Sequence, residues 1–230
     1  MQENRSLIDT ISSVFVPVHK DGYKFVVAFA VITLVLIWVS EPLGWLGIIA
    51  TIWCAYFFRD PERFPPDRDN VVVAPADGRV SAIEKVEVPR ELDLDGEQRV
   101  RISIFLSVFD VHINRSPVAG TIRKITYVPG KFLNAELDKA SEENERQCLT
   151  LETGKGTRIG CIQIAGLVAR RIVTFVREGD TVSLGERFGL IRFGSRTDIY
   201  LPPECKPLVR VGQAAVGGET VLAELRTENR

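Results

Sequence analysis

The sequence predicts a mostly β fold, a β-rich α+β protein that begins with a helical hairpin. Long uncharged apolar runs fill much of the first sixty positions, which predicts helices there. From about Pro61, short β-rich segments alternate with Gly, Pro and Asp. No succession of long strand–helix–strand units follows, so the sheet is expected to be antiparallel. We therefore expect two domains, residues 1–60 and residues 61–230.

The helical hairpin is predicted from two uncharged runs, Phe25–Val39 and Leu43–Phe58, with Ser40-Glu41-Pro42 as the turn between them. Helices of 15 and 16 residues would be roughly 22–24 Å long, which is short of the ~30 Å hydrocarbon core of a bilayer. A hairpin that dips into one leaflet and two thin spans both fit. Neither run has a polar face, which favours a membrane over the core of a soluble protein.

The residues around the hairpin indicate its orientation. Lysine and arginine occur on both sides of it and not in its turn, so both flanks are expected in the cytoplasm; they are Arg5, Lys20, Lys24, Arg59, Arg63 and Arg68. Apolar residues at helical spacing between Leu7 and Val18 predict an amphipathic stretch. That stretch could lie on the bilayer surface or pack on the protein itself.

The second domain is predicted to be built from short strands with one helix, Lys131–Glu145. Its segment Val176–Val182 resembles the turn of biotinyl and lipoyl carrier domains, which favours a barrel-sandwich-like antiparallel architecture. No lysine occupies the hairpin tip where such domains carry their prosthetic group, so a carrier function is not indicated.

Composition excludes several classes of function. The formal net charge of -1 argues against a nucleic-acid-binding protein. The four cysteines, at positions 54, 148, 161 and 205, have the spacing of neither a zinc site nor a disulfide framework. We therefore expect reduced thiols and no metal site.

One candidate reactive bond joins Gly194 to Ser195. Gly194 has no side chain to shield its own carbonyl group. The Ser195 hydroxyl could therefore attack that carbonyl, given a base and an oxyanion donor. The resulting ester could eliminate to dehydroalanine, which hydrolyses to a pyruvoyl group and ammonia. Taken alone, a Gly-Ser pair is most often a turn.

Two further residues could support this chemistry. His112 lies in a polar run with Asp, Asn and Arg, a setting suited to proton transfer, and the only other histidine, His19, adjoins the hairpin. Asp77 reads either as a turn residue before Gly78 or as a carboxylate that orients His112, as in a serine triad.

In combination and order, these motifs resemble the phosphatidylserine decarboxylase family, most closely its short bacterial and archaeal type. The resemblance covers about Phe57 to Leu225. It is carried by Ala74-Pro75-Ala76-Asp77-Gly78, by Asp110-Val111-His112 with Asn114-Arg115, and by Phe193-Gly194-Ser195-Arg196 with Asp198.

The resemblance implies a proenzyme that cuts itself between Gly194 and Ser195. The products would be a β chain, residues 1–194, and an α chain, residues 195–230, which stay associated. The Ser195-derived pyruvoyl group, the cofactor, would form a Schiff base with phosphatidylserine and accept the electrons released as CO2 leaves, giving phosphatidylethanolamine. His112 would be the general acid, and Asp77 would act in self-cleavage.

The sequence departs from longer bacterial members at Arg115, where those members carry a second histidine. Either His112 serves both reactions, or Arg115 takes over part of the electrostatic role. Phosphatidylserine carries a carboxylate and a phosphate, so cationic contacts are expected; the candidates are Arg115, Arg170, Arg171 and Arg196.

Two rival functions remain at this point. One is a non-enzymatic, membrane-anchored barrel-sandwich adaptor, and the other is a serine hydrolase, which the missing Gly-x-Ser-x-Gly motif disfavours. The family resemblance implies membrane lipids as partners and the cytoplasmic face of the bacterial inner membrane as location. A homo-oligomer is compatible with the sequence.

Overall fold

The computed structural model describes residues 16–94, 98–130, 143–166, 171–192 and 195–225. The chain divides into two compact units, Met1–Glu62 and Arg63–Arg230. The predicted amphipathic stretch falls mostly on residues 1–15, and the predicted helix Lys131–Glu145 falls mostly on residues 131–142. Both of these segments lie outside the described residues.

The first unit contains a helix pair, α1 (Lys20–Val39) and α2 (Glu41–Phe57). The helices are longer than the apolar runs, because α1 starts at Lys20, where His19 Nδ1 accepts a hydrogen bond from the Asp21 N–H at 3.3 Å. The predicted three-residue turn is wrong. Ser40 alone separates the helices, and Pro42 lies in the first turn of α2, where its missing N–H costs no helical hydrogen bond.

Small and hydroxyl-bearing residues form the contact between the two helices. A Cβ on Gly47 would lie 2.8 Å from Thr33 Oγ1, so only glycine allows this approach. Thr33 Oγ1 and Thr51 Oγ1 are 2.9 Å apart and hydrogen-bonded. Close packing through small residues and hydroxyl pairs is typical of helices that associate in lipid.

The outward faces of α1 and α2 expose large apolar side chains, among them Leu34, Trp38 and Ile49. Within the described residues, α1 is the one helix long and apolar enough to cross a membrane. At 20 residues it is roughly 30 Å long, which matches the hydrocarbon thickness. The exposed apolar surface and the length of α1 both indicate membrane association.

The second unit is built from antiparallel strands, which confirms the mostly β fold. The strands are β1 Val71–Val73, β2 Gly78–Val86, β3 Arg99–Leu106, β4 Ile113–Arg115, β5 Gly120–Val128, β6 Arg146–Glu152, β7 Arg158–Ala165, β8 Ile172–Thr174, β9 Thr181–Val182, β10 Arg187–Ile191, β11 Ser195–Leu201, β12 Ala214–Ala215 and β13 Val221–Glu224. An eight-stranded sheet has the order β12-β2-β3-β11-β7-β6-β5-β9, a three-stranded sheet has the order β4-β10-β8, and β1 pairs with β13.

Strand β11 is the strand that positions the site, because it pairs with β3 on one side and with β7 on the other. All seven of its residues are buried. Ile199 and Leu201 belong to the main core, so alternation places Ser195 and Thr197 on the same, inner face of the sheet. Tyr200 belongs to a separate cluster with Leu92, on the outer face.

Candidate active site

Ser195 is the first residue of β11. It pairs with Leu106 at the end of β3 and with Ala165 at the end of β7. The side chain is fully buried, and Ser195 Oγ has no hydrogen-bond partner among the described residues. A buried hydroxyl without a partner is costly and needs an explanation, and a catalytic role is one. Gly194 lies outside the described residues. We refer below to the strand ends at Gly78, Leu106, Ser195 and Ala165 as the Ser195 end of the sheet.

His112 is held near the connection that leads into Ser195. The segment 107–112 links β3 to β4, and the segment 192–194 links β10 to β11. The two connections are neighbours at both ends, because Leu106 pairs with Ser195 and the Ile191 N–H donates to the His112 carbonyl oxygen at 3.3 Å. The fold therefore places His112 beside Ile191, the last residue of β10, from which the chain continues to Ser195.

The ring of His112 is fully buried, and its Nδ1 lies 2.9 Å from the Asp110 carbonyl oxygen. A carbonyl oxygen only accepts hydrogen bonds, so Nδ1 carries a proton in this arrangement. In the neutral ring, Nε2 is then the nitrogen that can take up a proton.

A tight turn, Ser107-Val108-Phe109-Asp110, precedes His112. The Asp110 carboxylate accepts hydrogen bonds from the Ser107 N–H and the Ser107 hydroxyl, both at 2.7 Å. The Asp110 N–H donates in return to the Ser107 carbonyl oxygen at 3.0 Å. The hydrogen bonds between Ser107 and Asp110 close the turn and fix the backbone that leads to His112.

Asp77 precedes β2 at the Ser195 end of the sheet. Gly78 has a φ of 151°, and a Cβ there would overlap the Phe105 carbonyl oxygen, so the position requires glycine. The Asp77 carboxylate binds Arg63 Nη2 at 2.6 Å and accepts the Gly217 N–H at 2.8 Å. Sequence reasoning missed Arg63 as its partner. That Asp77 orients His112 remains a prediction.

Arg115 ends β4 and is buried. Its Nη1 donates to the Gly185 carbonyl oxygen at 3.0 Å, and its backbone N–H donates to the Pro75 carbonyl oxygen at 2.8 Å. The second hydrogen bond joins β4 to the segment that carries Asp77. Arg115 thus lies where a charge can act on the Asp77 region.

Arg196 is buried and forms an ion pair with Asp198, with Nε 2.9 Å from Oδ1 and Nη2 2.9 Å from Oδ2. Of these two contacts, the one from Nη2 to Oδ2 is a hydrogen bond, and the one between Nε and Oδ1 is an ion-pair contact only. Alternation places this pair on the face of β11 opposite Ser195. On the same face, burial raises the pKa of the Tyr200 phenol, and the charge of Asp198 adds to the increase.

The other two predicted cationic contacts are placed differently. Arg171 is exposed, and its carbonyl oxygen accepts the Arg192 N–H at 3.3 Å beside the connection into β11. Arg170 lies outside the described residues. Substrate contacts by any of the four arginines remain predictions.

A buried amide network lies on the inner face near Ser195. Gln163 Nε2 donates to Asn114 Oδ1 at 2.7 Å, and Gln147 Nε2 donates to Gln163 Oε1 at 3.3 Å. Gln163 pairs with Thr197, two residues from Ser195. A Cβ on Gly189 would lie 2.8 Å from Gln163 Nε2, so glycine is needed where β10 crosses this network. The sequence signal was a glutamine inside each of two apolar strands, β6 and β7.

The open cavities of the second unit lie elsewhere. Two of them, of about 440 and 770 Å³, share Thr153 and Lys155 in the turn between β6 and β7, at the end of the sheet opposite Ser195. Neither is lined by Ser195, His112 or Asp77. The described residues contain no cluster of three His, Cys, Asp or Glu side chains that could hold a metal ion. The position of Ser195, not cavity size, identifies the candidate site.

A model of a known protein family matches a region of the chain that spans the candidate site. The family model described as phosphatidylserine decarboxylase matches residues 50–223, more than half of the chain. The match includes Asp77, His112, Gly194 and Ser195, and it favours the enzyme over the non-enzymatic adaptor. The chain therefore belongs to the phosphatidylserine decarboxylase family, and it is a decarboxylase.

Proposed function

We propose that this chain converts phosphatidylserine to phosphatidylethanolamine with a pyruvoyl group made from its own Ser195. The observation that carries the proposal is the buried Ser195 Oγ, which has no hydrogen-bond partner in the described part of the chain. An unpaired hydroxyl directly after a glycine carbonyl is suited to attack that carbonyl.

Self-cleavage would begin when Ser195 Oγ loses its proton to a base and attacks the Gly194 carbonyl carbon. The C–N bond then breaks, the Ser195 nitrogen takes up a proton, and an ester joins Gly194 to Ser195 Oγ. Loss of the Ser195 α-proton expels the Gly194 carboxylate and leaves dehydroalanine. Water hydrolyses its imine form to the ketone and releases ammonia, so the atoms balance.

The base for this step is proposed to be His112, whose protonated Nδ1 leaves Nε2 as the acceptor. Asp77 and Arg115 would then set the local charge, since the Arg115 N–H is tied to Pro75 in the segment before Asp77. This assignment is compatible with both alternatives for the missing second histidine: His112 serves both reactions, or Arg115 takes over part of the electrostatic role.

In turnover, the pyruvoyl carbonyl would supply the electron sink that stabilises charge as CO2 leaves the substrate. Position 195 suits a pyruvoyl group, because it is buried at the start of β11 and water is excluded from it. His112 would deliver a proton to the carbon that has lost CO2. Arg171, Arg170 and Arg115 are the proposed contacts of the substrate carboxylate and phosphate, whereas Arg196 lies on the opposite face of β11 in its ion pair with Asp198.

The chain is proposed to work at the cytoplasmic face of a bacterial inner membrane. The exposed apolar surface of α1 and α2 supports membrane attachment, and the basic residues on both sides of the hairpin support this orientation. The β chain, residues 1–194, and the α chain, residues 195–230, would stay together, and homo-oligomers are compatible with this arrangement.

The test is the intact mass of the purified protein with and without Ser195→Ala. We expect two chains from the native sequence and a single 25.7 kDa chain from the variant. Ser103→Ala is the matched control, because Ser103 Oγ on the adjacent strand β3 is another buried hydroxyl that has no partner among the residues described. An active native protein that remains one chain with an ordinary serine contradicts the proposal.

A further inference from the structure

The second unit exposes few large apolar side chains, and the aromatic ones share a location. Among its described residues they are Phe64, Phe109, Tyr127, Leu208 and Val211, each more than half exposed. Phe109 lies in the β3–β4 connection beside Ser195, and Phe64 follows Arg63, the partner of Asp77. Tyr127 pairs with Gln147 at the start of β6, beside the end of β7. All three aromatic residues therefore lie toward the Ser195 end of the sheet.

Phe109 is held outward by a rigid backbone. It is the third residue of the Ser107–Asp110 turn, which the Asp110 carboxylate closes at both the Ser107 N–H and hydroxyl. Phe109 is 61% exposed, whereas His112, three residues later, is fully buried. The turn thus presents an aromatic ring to the outside and an imidazole to the inside over a short length of chain.

A lipid surface is the partner that this arrangement fits. The substrate of the family is a phospholipid, and the same chain carries the apolar helix α1. Tyr is enriched at the level of lipid headgroups, and Phe is among the apolar side chains that interfacial segments bury at the boundary between headgroups and acyl chains. Partial burial and the Glu145 carboxylate raise the pKa of the Tyr127 phenol, and the charge of the nearby Arg171 opposes this increase. Arg171 is exposed and offers a cation to anionic headgroups.

We propose that the Ser107–Asp110 turn docks on the bilayer and inserts the Phe109 ring among the lipid headgroups. Docking of this turn places the Ser195 end of the sheet against the membrane, so a headgroup reaches the site while its acyl chains stay in the bilayer. The docking itself does not depend on the pyruvoyl reaction; the statement about headgroup entry rests on the proposed function.

Insertion can be measured directly with a fluorophore on a cysteine. The four native cysteines are buried, so Phe109→Cys offers the accessible thiol for an environment-sensitive label. The matched control is Leu208→Cys, because Leu208 is 56% exposed and lies beside β13. Full-length protein is reconstituted into phosphatidylcholine–phosphatidylserine vesicles that contain spin-labelled lipid.

We expect spin-labelled lipid to quench the label at position 109 several-fold more strongly than the label at position 208. Equal quenching at the two positions overturns the proposal. So does a label at 109 that is shielded from water but not quenched by lipid, because that result assigns the surface to a protein partner or a second copy of the chain. The measurement also works in Ser195→Ala protein, so it does not depend on catalysis.

A kinetic experiment tests headgroup entry. We expect Phe109→Ser to raise the apparent KM for phosphatidylserine in vesicles by about tenfold. This is the loss of affinity expected when an aromatic ring is no longer buried in an apolar contact with lipid. Turnover of a short-chain, water-soluble phosphatidylserine should not change, and Leu208→Ser should affect neither substrate.

Two outcomes of this kinetic experiment overturn the proposal. An equal loss on both substrates means that Phe109 only supports His112, and no loss on either substrate means that Phe109 does not dock. A native protein inactive on both substrates instead contradicts the proposed function and leaves the quenching result standing.

Discussion

The Asp77 carboxylate lies 2.6 Å from Arg63 Nη2 and also accepts the Gly217 N–H. Both side chains of this ion pair are largely shielded from solvent, since their exposed fractions are 14% and 17%. An ion pair with this shielding holds the carboxylate in one orientation. Arg63 is therefore placed to control the residue that the family resemblance assigns to self-cleavage.

We expect Arg63→Gln to slow self-cleavage by about tenfold, because the neutral amide provides a weaker hydrogen bond to Asp77 than the guanidinium does. The measurement is the time course of chain cleavage in freshly translated protein. Arg68→Gln is the control, because Arg68 pairs with Glu224 on the exposed surface. An unchanged cleavage rate in Arg63→Gln would show that the ion pair has no part in the reaction.

His112→Gln should reduce decarboxylation by roughly 10²–10⁴-fold, the usual contribution of a general acid or base. Turnover is measured as CO2 released from phosphatidylserine, and the same preparation is examined for cleavage. Cleavage that survives while turnover is lost assigns His112 to decarboxylation alone. The control is His19→Asn, because asparagine retains the capping role of His19 at the start of α1. Near-normal turnover in His112→Gln would refute the assignment.

Asp198→Asn should lower the free energy of unfolding by about 3–5 kcal/mol, because it leaves the buried Arg196 guanidinium without its counter-charge. The measurement is urea denaturation in detergent followed by the β-sheet circular dichroism signal. Glu84→Gln removes the partner of Arg101, and Glu84 is 51% exposed, so its effect should stay below about 1 kcal/mol. Equal effects of the two substitutions would contradict a strong buried pair next to Ser195.

The contribution of the buried thiols to stability should decrease at alkaline pH. Burial raises the pKa of Cys148 to about 12 and also raises the pKa of Cys161. The folded protein therefore favours the protonated thiols, and their contribution to stability is present below the pKa of an unfolded cysteine, about 8.5. It decreases as the pH rises from there toward 12. We expect slow alkylation of both thiols at pH 8 in native protein and fast alkylation in urea; equal rates would contradict the burial.

The sequence could nominate candidate residues because the motifs that carry them are local. Asp77, His112 and Ser195 each lie beside a glycine or a strand end, and such positions can be recognised without a structure. The pairing of Leu106 with Ser195 depends on a strand register that no local pattern specifies.

The partners of these residues could not be predicted in the same way. Arg63 lies 14 residues from Asp77 and Gly217 lies 140 residues away, so nothing in the local sequence connects them. Strand β6 has no continuous apolar pattern, because Gln147 and Thr150 interrupt it, although both side chains are buried by long-range contacts. The hairpin turn was placed too broadly because proline was taken as a helix breaker, whereas Pro42 lies in the first turn of α2.

Strand β11 has a consequence for how a two-chain protein could fold. Cleavage before Ser195 would put the whole strand in the smaller chain, while both of its neighbours, β3 and β7, stay in the larger one. The small fragment would then be the middle of a continuous hydrogen-bonded ladder and could not leave without disrupting the sheet. Before the cut, folding is a unimolecular process; afterwards, refolding from denaturant would require two molecules to meet. The rate of refolding of the mature protein should therefore depend on concentration, and the order of events, first folding and then cleavage, would be fixed by the position of this one strand.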